Sequence, residues 1–194
     1  MAIDHLLYLH GFRSSPNSTK SRQLRDYIRA HHPSWEWYCP ALPVSPKDAV
    51  TLVETMCQDW PKNRTGIVGS SLGGFYATFL GLKWGSRTVL INPAVHPHKH
   101  GDRLVGDFRL WHDPCASIRF EPEFLDELAA MDRDSLPPWS DCMTLVGTED
   151  EVLDPQELAN YYADTHFHWV DGADHAMSEF PNWLPKVDAF LSRP

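Results

Sequence analysis

Apolar residues along this chain form two alternating patterns, short continuous runs and longer stretches with helical spacing. The runs predict buried strands at residues 3–9, 35–39, 66–68, 88–92, 142–146 and 166–170. Between them, apolar positions recur every three or four residues and predict helices that begin near residues 18, 45, 72, 154 and 180. Regular alternation of strand and helix is typical of an α/β fold, a parallel sheet with helices on both faces.

Two of the predicted helices begin with capping residues. Ser45 precedes Pro46, and Asp154 precedes Pro155. A side-chain oxygen at the N-cap accepts a hydrogen bond from a free amide of the first turn, and proline fits the position that follows. The sequence therefore predicts that Asp154 caps a helix.

One stretch, residues 93–140, interrupts the alternation between the fourth and fifth strands. It is too long for a simple connection, and it contains a helical pattern around Phe124 and Leu128. A long excursion at the carboxyl edge of a sheet is where a lid lies, although a surface insertion without a role in binding has the same pattern. We expect a single domain, residues 1–194, with a lid insertion at 93–140.

Composition narrows the classes of partner. The chain has 194 residues and a net charge of −9, which argues against binding to a nucleic-acid backbone. No apolar run is long enough to span a membrane, so we expect no membrane partner. The first strand begins almost at Met1 and leaves no room for a secretory signal, which predicts a cytoplasmic protein.

The segment Gly69-Ser70-Ser71-Leu72-Gly73 carries the clearest chemical signal of the chain. It fits the pattern G-x-S-x-G, follows a predicted strand and opens a predicted helix. Such a strand–turn–helix arrangement strains the central serine and exposes its hydroxyl, and it requires small neighbours because helix and strand come close. Ser71 is therefore the predicted nucleophile.

A serine hydroxyl needs a base within hydrogen-bonding reach, and that base needs an orienting group. Among eleven histidines, His175 has the required position, on a glycine-containing loop directly after the sixth strand. We predict that His175 is the base. Asp174 adjoins it, but neighbouring side chains point apart and rarely meet.

The orienting acid should follow the fifth strand. Four carboxylates compete there: Glu149, Asp150, Glu151 and Asp154. We expect Glu149 and Glu151 to be solvated, and Asp154 to cap the next helix. Asp150 is the favoured acid by its position in the loop, with Asp154 as the alternative. The order Ser71, Asp150, His175 is that of α/β-hydrolases.

A reaction at a carbonyl also needs donors for the developing oxyanion. The backbone N–H of Leu72 lies at a predicted helix N-terminus, where amides point outward and the helix dipole favours negative charge. The segment His10-Gly11-Phe12 follows the first strand, and the Phe12 amide is the predicted second donor. We expect His10 to be a structural partner of this loop rather than a base.

Two further groups bear on ligands. The alternating His96, His98 and His100 lack a carboxylate or cysteine at a familiar ligand spacing, so we predict no metal. Trp111 and Trp139 lie in the 93–140 excursion, and we expect both to form a wall of the substrate site.

With these residues in place, the chain resembles the α/β-hydrolase superfamily and, within it, the small bacterial YqiA-type esterases. The matching motifs lie at residues 8–12, 14–16, 66–74, 92–95, 150–154 and 172–176. The resemblance implies a three-layer fold and hydrolysis of carboxylic esters, including acyl thioesters, without a cofactor. It assigns the nucleophile to Ser71, the acid to Asp150 and the base to His175.

The chain also departs from the superfamily pattern. It has no room for the two antiparallel strands that usually begin the fold, so we expect six mostly parallel strands in the order 2-1-3-4-5-6. The expected partner is a small-molecule acyl ester or thioester. Two alternatives stay open: a non-catalytic binding protein on the same scaffold, and a hydrolase of peptide or C–C bonds.

Overall fold

The computed structural model describes residues 2–193, and its centre is a six-stranded parallel sheet. The strands of the chain are β1 (His5–Leu9), β2 (Glu36–Tyr38), β3 (Thr65–Ser70), β4 (Arg87–Ile91), β5 (Gly106–Arg109), β6 (Ser117–Phe120), β7 (Cys142–Gly147) and β8 (His166–Val170). The central sheet has the order β2-β1-β3-β4-β7-β8, and every neighbouring pair is parallel. Counted within this sheet, that is the predicted order 2-1-3-4-5-6, which is confirmed.

Helices cover both faces of the central sheet, as the alternating pattern predicts. They are α1 (Thr19–His31), α2 (Pro46–Met56), α3 (Leu72–Trp84), α4 (Gly101–Leu104), α5 (Phe124–Met131), α6 (Pro155–Tyr161) and α7 (Phe180–Leu191). Helices α1 and α7 pack on one face, and α2, α3, α5 and α6 contribute to the core on the other. The predicted caps are confirmed, because Ser45 accepts from the Asp48 amide and Asp154 from the Gln156 amide.

The continuous apolar runs reflect burial of the strands on both faces. All six residues of β3 and all six of β7 are buried. Within β1, Leu7 and Leu9 face one core, whereas Leu6 and Tyr8 face the other. A strand buried in this way shows no alternation of polar and apolar positions, which is why the sequence pattern is a plain run.

The 93–140 excursion contains an antiparallel hairpin that the sequence analysis did not predict. Strands β5 and β6 pair from Gly106↔Phe120 to Arg109↔Ser117. Helix α5 follows the hairpin and is fastened to α2, because Glu127 Oε2 accepts from the Ser45 hydroxyl at 2.8 Å. Two strands of four residues each are too short to give a readable apolar period.

Within residues 2–193, no helix has the length and apolar character needed to cross a membrane. The cytoplasmic setting stays a prediction, and so does the function of the excursion as a lid.

The N-terminus of α3 lies unusually close to β1 and β3. A Cβ atom on Gly73 would lie 2.1 Å from the Leu9 carbonyl oxygen, and one on Gly69 would lie 2.3 Å from the Gly73 carbonyl oxygen. Backbone atoms occupy both positions, so no rotamer change relieves the overlap. The small residues of the G-x-S-x-G pattern are therefore required by direct contact between backbones.

We expect Gly73→Ala to lower the free energy of unfolding by about 3 kcal/mol, because the methyl group forces α3 away from β1. Gly85→Ala is the control, because Gly85 caps the C-terminus of the same helix, but no atom lies within 4 Å of its Cβ position. Only its positive φ opposes alanine there, at a cost of about 1–2 kcal/mol. Denaturant unfolding measures both variants, and an equal or smaller loss for Gly73→Ala would contradict the contact.

Candidate active site

Ser71 occupies a strained turn between β3 and α3. Its φ of 56° and ψ of −125° are rare for a residue with a side chain, and such conformations cost about 1–3 kcal/mol. Surrounding hydrogen bonds hold the turn: the Ser71 amide donates to the Ile91 carbonyl at 3.1 Å. The Ser71 carbonyl accepts from the Gly74 amide at 2.8 Å and the Ala94 amide at 3.0 Å. The sharp turn expected from the motif is thus observed.

Ser71, His175 and Asp150 form one hydrogen-bonded series. His175 Nε2 lies 3.1 Å from Ser71 Oγ, and His175 Nδ1 lies 2.8 Å from Asp150 Oδ2. A carboxylate can only accept, so the proton of a neutral imidazole belongs on Nδ1. Nε2 is then free to accept the serine proton. The structure therefore brings together the three residues that the sequence singled out from separate loops.

The Asp150 carboxylate is buried and fully bonded. Its side chain is 0% exposed. Its second oxygen, Oδ1, accepts from the amides of Val152 at 2.9 Å and Leu153 at 2.8 Å. Asp154 has a different partner, since it accepts from the Gln156 amide at the start of α6. Of the two competing carboxylates, Asp150 is the one in contact with the imidazole.

Two polar residues position the His175 loop, and the sequence analysis did not identify either role. The buried Asn92 at the end of β4 donates from Nδ2 to the carbonyls of Asp174 at 3.0 Å and His175 at 3.2 Å. Its Oδ1 accepts from the Gly147 amide at 2.8 Å. Glu151, expected to be only solvated, accepts from the His175 amide at 3.0 Å. The sequence does contain one signal for the role of Asn92: it is a polar residue at the end of the apolar run that forms β4.

Lys20, in the first turn of α1, also contacts this loop. Its Nζ donates to the Ala176 carbonyl at 2.8 Å. Burial lowers the pKa of the Lys20 ammonium to about 8, although the nearby Asp174 and Asp150 carboxylates oppose that shift. The Lys20 ammonium is thus close to the carboxylates of Asp174 and Asp150. Its partner is more than a hundred residues away in the chain, so no local pattern indicates it.

The two amides predicted as oxyanion donors lie next to Ser71. Leu72 is the first residue of α3, and Phe12 follows Gly11, where a Cβ atom would lie 3.1 Å from Ser71 Cβ. Neither the Leu72 nor the Phe12 amide donates to another group of residues 2–193. Both N–H groups are therefore open to a ligand, and their role as oxyanion donors stays a prediction.

His10 holds the loop that carries Phe12. Its Nε2 accepts from the Leu42 amide at 3.2 Å, and its Nδ1 lies 3.0 Å from the Gly11 carbonyl oxygen. Both bonds require the neutral ring, with the proton on Nδ1. Burial, the largest effect, lowers the pKa of His10 below its usual 6.5. The expectation that His10 is a structural partner is confirmed.

The two tryptophans predicted as a substrate wall lie in different places. Trp111 is 71% exposed, and its amide donates to the Arg13 carbonyl at 3.0 Å beside the Phe12 loop. Its role in binding stays a prediction.

The prediction for Trp139 is wrong. Trp139 is 7% exposed and packs on Gly81, in the second half of α3. Its carbonyl accepts from the amide of Cys142, the first residue of β7, which places it at the amino edge of the sheet. Ser71, Asp150 and His175 lie at the carboxyl edge. The indole is a core side chain, far from the site.

The alternating histidines contact a carboxylate from the other end of the excursion. His96 Nδ1 lies 2.7 Å and His98 Nδ1 lies 2.9 Å from Asp132 Oδ2. Across residues 2–193, no group of three or more His, Cys, Asp or Glu side chains is arranged to hold a metal ion.

The sheet order and the strained serine turn define the α/β-hydrolase fold. The structure is similar to alpha/beta hydrolase domain-containing protein 10 from mouse, with a TM-score of 0.74, 14% identity, and coverage of 96% of this chain and 89% of that chain. It is also similar to Est1E from Butyrivibrio proteoclasticus with bound ferulic acid, with a TM-score of 0.75, 9% identity, and coverage of 98% and 88%. With sequence identities this low, the structural similarity establishes a shared fold and nothing further.

Sequence comparison then gives the family. Residues 5–192 match the uncharacterised protein family UPF0227, and the chain belongs to this family. A UPF0227 protein of Serratia proteamaculans is 23% identical over 193 residues, which cover 97% of this chain and 99% of that protein. A UPF0227 protein of Yersinia pseudotuberculosis is 24% identical over 190 residues, covering 95% and 97%. The resemblance inferred from the motifs is confirmed.

The lowered pKa of His10 predicts a dependence of stability on pH. An unfolded chain takes up this proton below about pH 6.5, whereas the folded state does so only at lower pH. Stability from His10 is therefore present above 6.5 and is lost as the pH falls through the folded pKa. In His10→Gln, Oε1 can still accept from the Leu42 amide but does not titrate.

Wild type should therefore be more stable than His10→Gln at about pH 7.5, and the difference should shrink towards about pH 5. Urea unfolding of both proteins across this range measures it. A difference that is constant or grows as the pH falls would show that His10 is not held neutral.

Proposed function

We propose that this chain is a serine hydrolase that cleaves carboxylic esters through an acyl-enzyme on Ser71. The observation that carries the proposal is the hydrogen-bonded series from Ser71 Oγ through His175 to Asp150 Oδ2. It begins at a serine whose strained turn presents the hydroxyl next to two free amides. Similarity in fold to a protein described as an esterase domain, from Rhodothermus marinus, supports the same class of reaction.

In the proposed first half-reaction, Ser71 Oγ attacks the ester carbonyl while His175 Nε2 takes the hydroxyl proton. The Leu72 and Phe12 amides donate to the resulting oxyanion. The tetrahedral intermediate then collapses, the C–O bond to the alcohol breaks, and the alcohol leaves with the proton held by His175. An ester of Ser71 remains.

In the second half-reaction, His175 takes a proton from water, and the hydroxide adds to the acyl-enzyme. Collapse breaks the bond to Ser71 Oγ, which regains a proton from His175 as the carboxylic acid leaves. An acyl thioester can follow the same steps with a thiol as leaving group. The roles assigned here need no metal or organic cofactor.

Asp150 is proposed to hold the imidazole and to stabilise its charged form. The carboxylate accepts two backbone N–H bonds at Oδ1, which leaves Oδ2 aimed at His175 Nδ1. A carboxylate oriented in this way keeps the proton on Nδ1 and favours imidazolium when Nε2 takes the serine proton. Asn92 and Glu151 fix the backbone of His175 at the correct distance.

The 93–140 excursion is proposed to be a lid. Its hairpin reaches the oxyanion loop directly, because the Phe12 ring packs edge-on against Phe108 at 5.2 Å and Phe120 at 5.7 Å. A segment held in this way covers one side of the site and shields the loop with the Phe12 amide from bulk water. Trp111 lies at the tip of the hairpin and is the aromatic side chain best placed to contact a substrate.

A fluorophosphonate probe should label wild-type protein on Ser71, because an activated serine displaces its fluoride and forms a phosphonate ester. Ser71→Ala should not be labelled, and its kcat on a short aryl ester should be about 10⁶-fold lower than that of wild type. Ser70→Ala is the matched control: Ser70 ends β3 and is buried. Labelling is read by intact mass and peptide mapping. Labelling of Ser71→Ala, or turnover by it, would remove Ser71 as the nucleophile.

Asp150→Asn should lower kcat by about 10⁴, because an amide cannot hold the proton on His175 Nδ1. Asp154→Asn makes the same chemical change a few residues away, at a cap that asparagine also satisfies. It should leave kcat and the melting temperature nearly unchanged. Steady-state kinetics and thermal unfolding compare the two, and the reverse ranking would assign the acid to Asp154.

A further inference from the structure

A small cavity lies beside the two amides proposed to bind the oxyanion. Its volume is about 60 Å³. Its walls include Phe12, Arg13, Leu42, Leu72, Tyr76 and Ile118. Asp150 and His175, where the leaving group departs, are not among the lining residues. Gly11 and Leu72, which adjoin Ser71, do line the cavity, so a carbonyl carbon at Ser71 would have its acyl substituent on this side.

The cavity limits the acyl group in length. Sites that enclose drug-sized ligands have volumes of roughly 300–1,000 Å³. A volume of about 60 Å³ is far smaller and matches a short acyl chain. Apolar walls from Leu42, Leu72 and Ile118 fit the methylene groups of such a chain.

Arg13 is the only lining residue with a permanent charge. Its Nε donates to the Arg109 carbonyl at 2.8 Å, and its guanidinium carbon lies 3.9 Å from the centre of the Trp111 ring. The Arg13 backbone is also fixed, because its carbonyl accepts from the Trp111 amide and its φ is 62°. The guanidinium is thus held in one orientation by the hairpin.

The two terminal nitrogens of Arg13 have no polar partner within the described part of the chain. Neither Nη1 nor Nη2 forms a hydrogen bond with any of residues 2–193. No Asp or Glu carboxylate of these residues lies within ion-pair distance of the Arg13 guanidinium. The acids of the hairpin are engaged elsewhere: Arg119 binds both Asp107, at 3.0 Å, and Glu121, at 2.9 Å. A fixed guanidinium with two free terminal nitrogens matches the two oxygens of a carboxylate.

From this geometry we infer that the cavity with Arg13 binds an acyl chain ending in a carboxylate, so that the substrates are half-esters of short dicarboxylic acids. The inference rests on the proposed ester hydrolysis and specifies its substrate class. Arg13 directly follows Phe12, whose amide is the proposed oxyanion donor, so the proposal takes a short acyl chain as the link between the carbonyl at Ser71 and the carboxylate. A neutral acyl chain of equal length leaves the Arg13 charge unpaired.

Monobenzyl succinate and benzyl butyrate test the inference, because they share leaving group and chain length and differ in the terminal carboxylate. Wild type should have the higher kcat/KM for monobenzyl succinate. Arg13→Gln should lower the ratio of the two kcat/KM values at least tenfold, equivalent to about 1.4 kcal/mol, mainly through KM. Arg13→Lys should fall between them, since a lysine keeps the charge without the fork.

Arg109→Gln is the matched control, because that arginine lies on the same hairpin with its Nη1 bonded to the Pro114 carbonyl. The substitution keeps the Arg109 backbone carbonyl, so the ratio should stay near the wild-type value. Added sodium chloride should lower the wild-type ratio by screening, which tests the charge without any substitution. Equal losses for both esters in Arg13→Gln, or a wild-type preference for benzyl butyrate, would overturn the inference.

Calorimetric titration of the Ser71→Ala protein separates this inference from the proposed function. Monobenzyl succinate should bind Ser71→Ala more tightly than benzyl butyrate does, and the added Arg13→Gln change should remove the difference. If wild type neither hydrolyses an ester nor reacts with the fluorophosphonate, ester hydrolysis is wrong, and the titration still decides the carboxylate subsite. Equal binding of the two esters would reject the subsite even in an active hydrolase.

Discussion

The arrangement of the whole site depends on the contact between the N-terminus of α3 and the end of β1. Gly73 lies against the carbonyls of Leu9 and His10 with no space for a methyl group. That contact leaves the chain one tight path from β3 into α3, and the path gives Ser71 its positive φ. It also places Gly11 beside Ser71, so Ser71 and the loop with the Phe12 amide are positioned by a single packing interaction. Strain at Ser71 is offset by the backbone bonds to Ile91 and Ala94 rather than by the serine itself.

The opposite side of the site is held by polar contacts between distant segments. Asn92, at the end of β4, binds β7 through Gly147 and the histidine loop through two carbonyls. Lys20 reaches the same loop from α1. A loop after the edge strand β8 has few packing partners of its own, so these bonds reduce its freedom. The separation of His175 from Ser71 is therefore held by side chains outside the hydrogen-bonded series of Ser71, His175 and Asp150.

Local signals predicted the parts of the structure that depend on neighbours in sequence. The buried strands, the caps at Ser45 and Asp154 and the serine turn all follow from short patterns, because burial and backbone geometry act over a few residues. Loop position alone favours Asp150 over Asp154, because the contact that decides between them, with His175 Nδ1, joins residues 25 apart in the chain. Trp139 was misplaced because its position in the chain is close to the excursion, whereas the packing against Gly81 that fixes it comes from distant sequence. The role of Lys20 depends on distant sequence for the same reason, whereas the hairpin β5–β6 gives no signal because each of its strands has only four residues.

In the proposed reaction, the hairpin would join recognition of the acyl group to the geometry of the two oxyanion donors. Phe12 and Arg13 are consecutive, and both side chains are held by hairpin aromatic rings, through Phe108 and Trp111 respectively. A group bound at Arg13 and an oxyanion bound at the Phe12 amide would thus both constrain the same short backbone segment. Binding energy from a part of the substrate that does not react can in this way improve the alignment of the reacting carbonyl. A net charge of −9 disfavours anions in general, so the proposed binding of a carboxylate depends on its local pairing with Arg13.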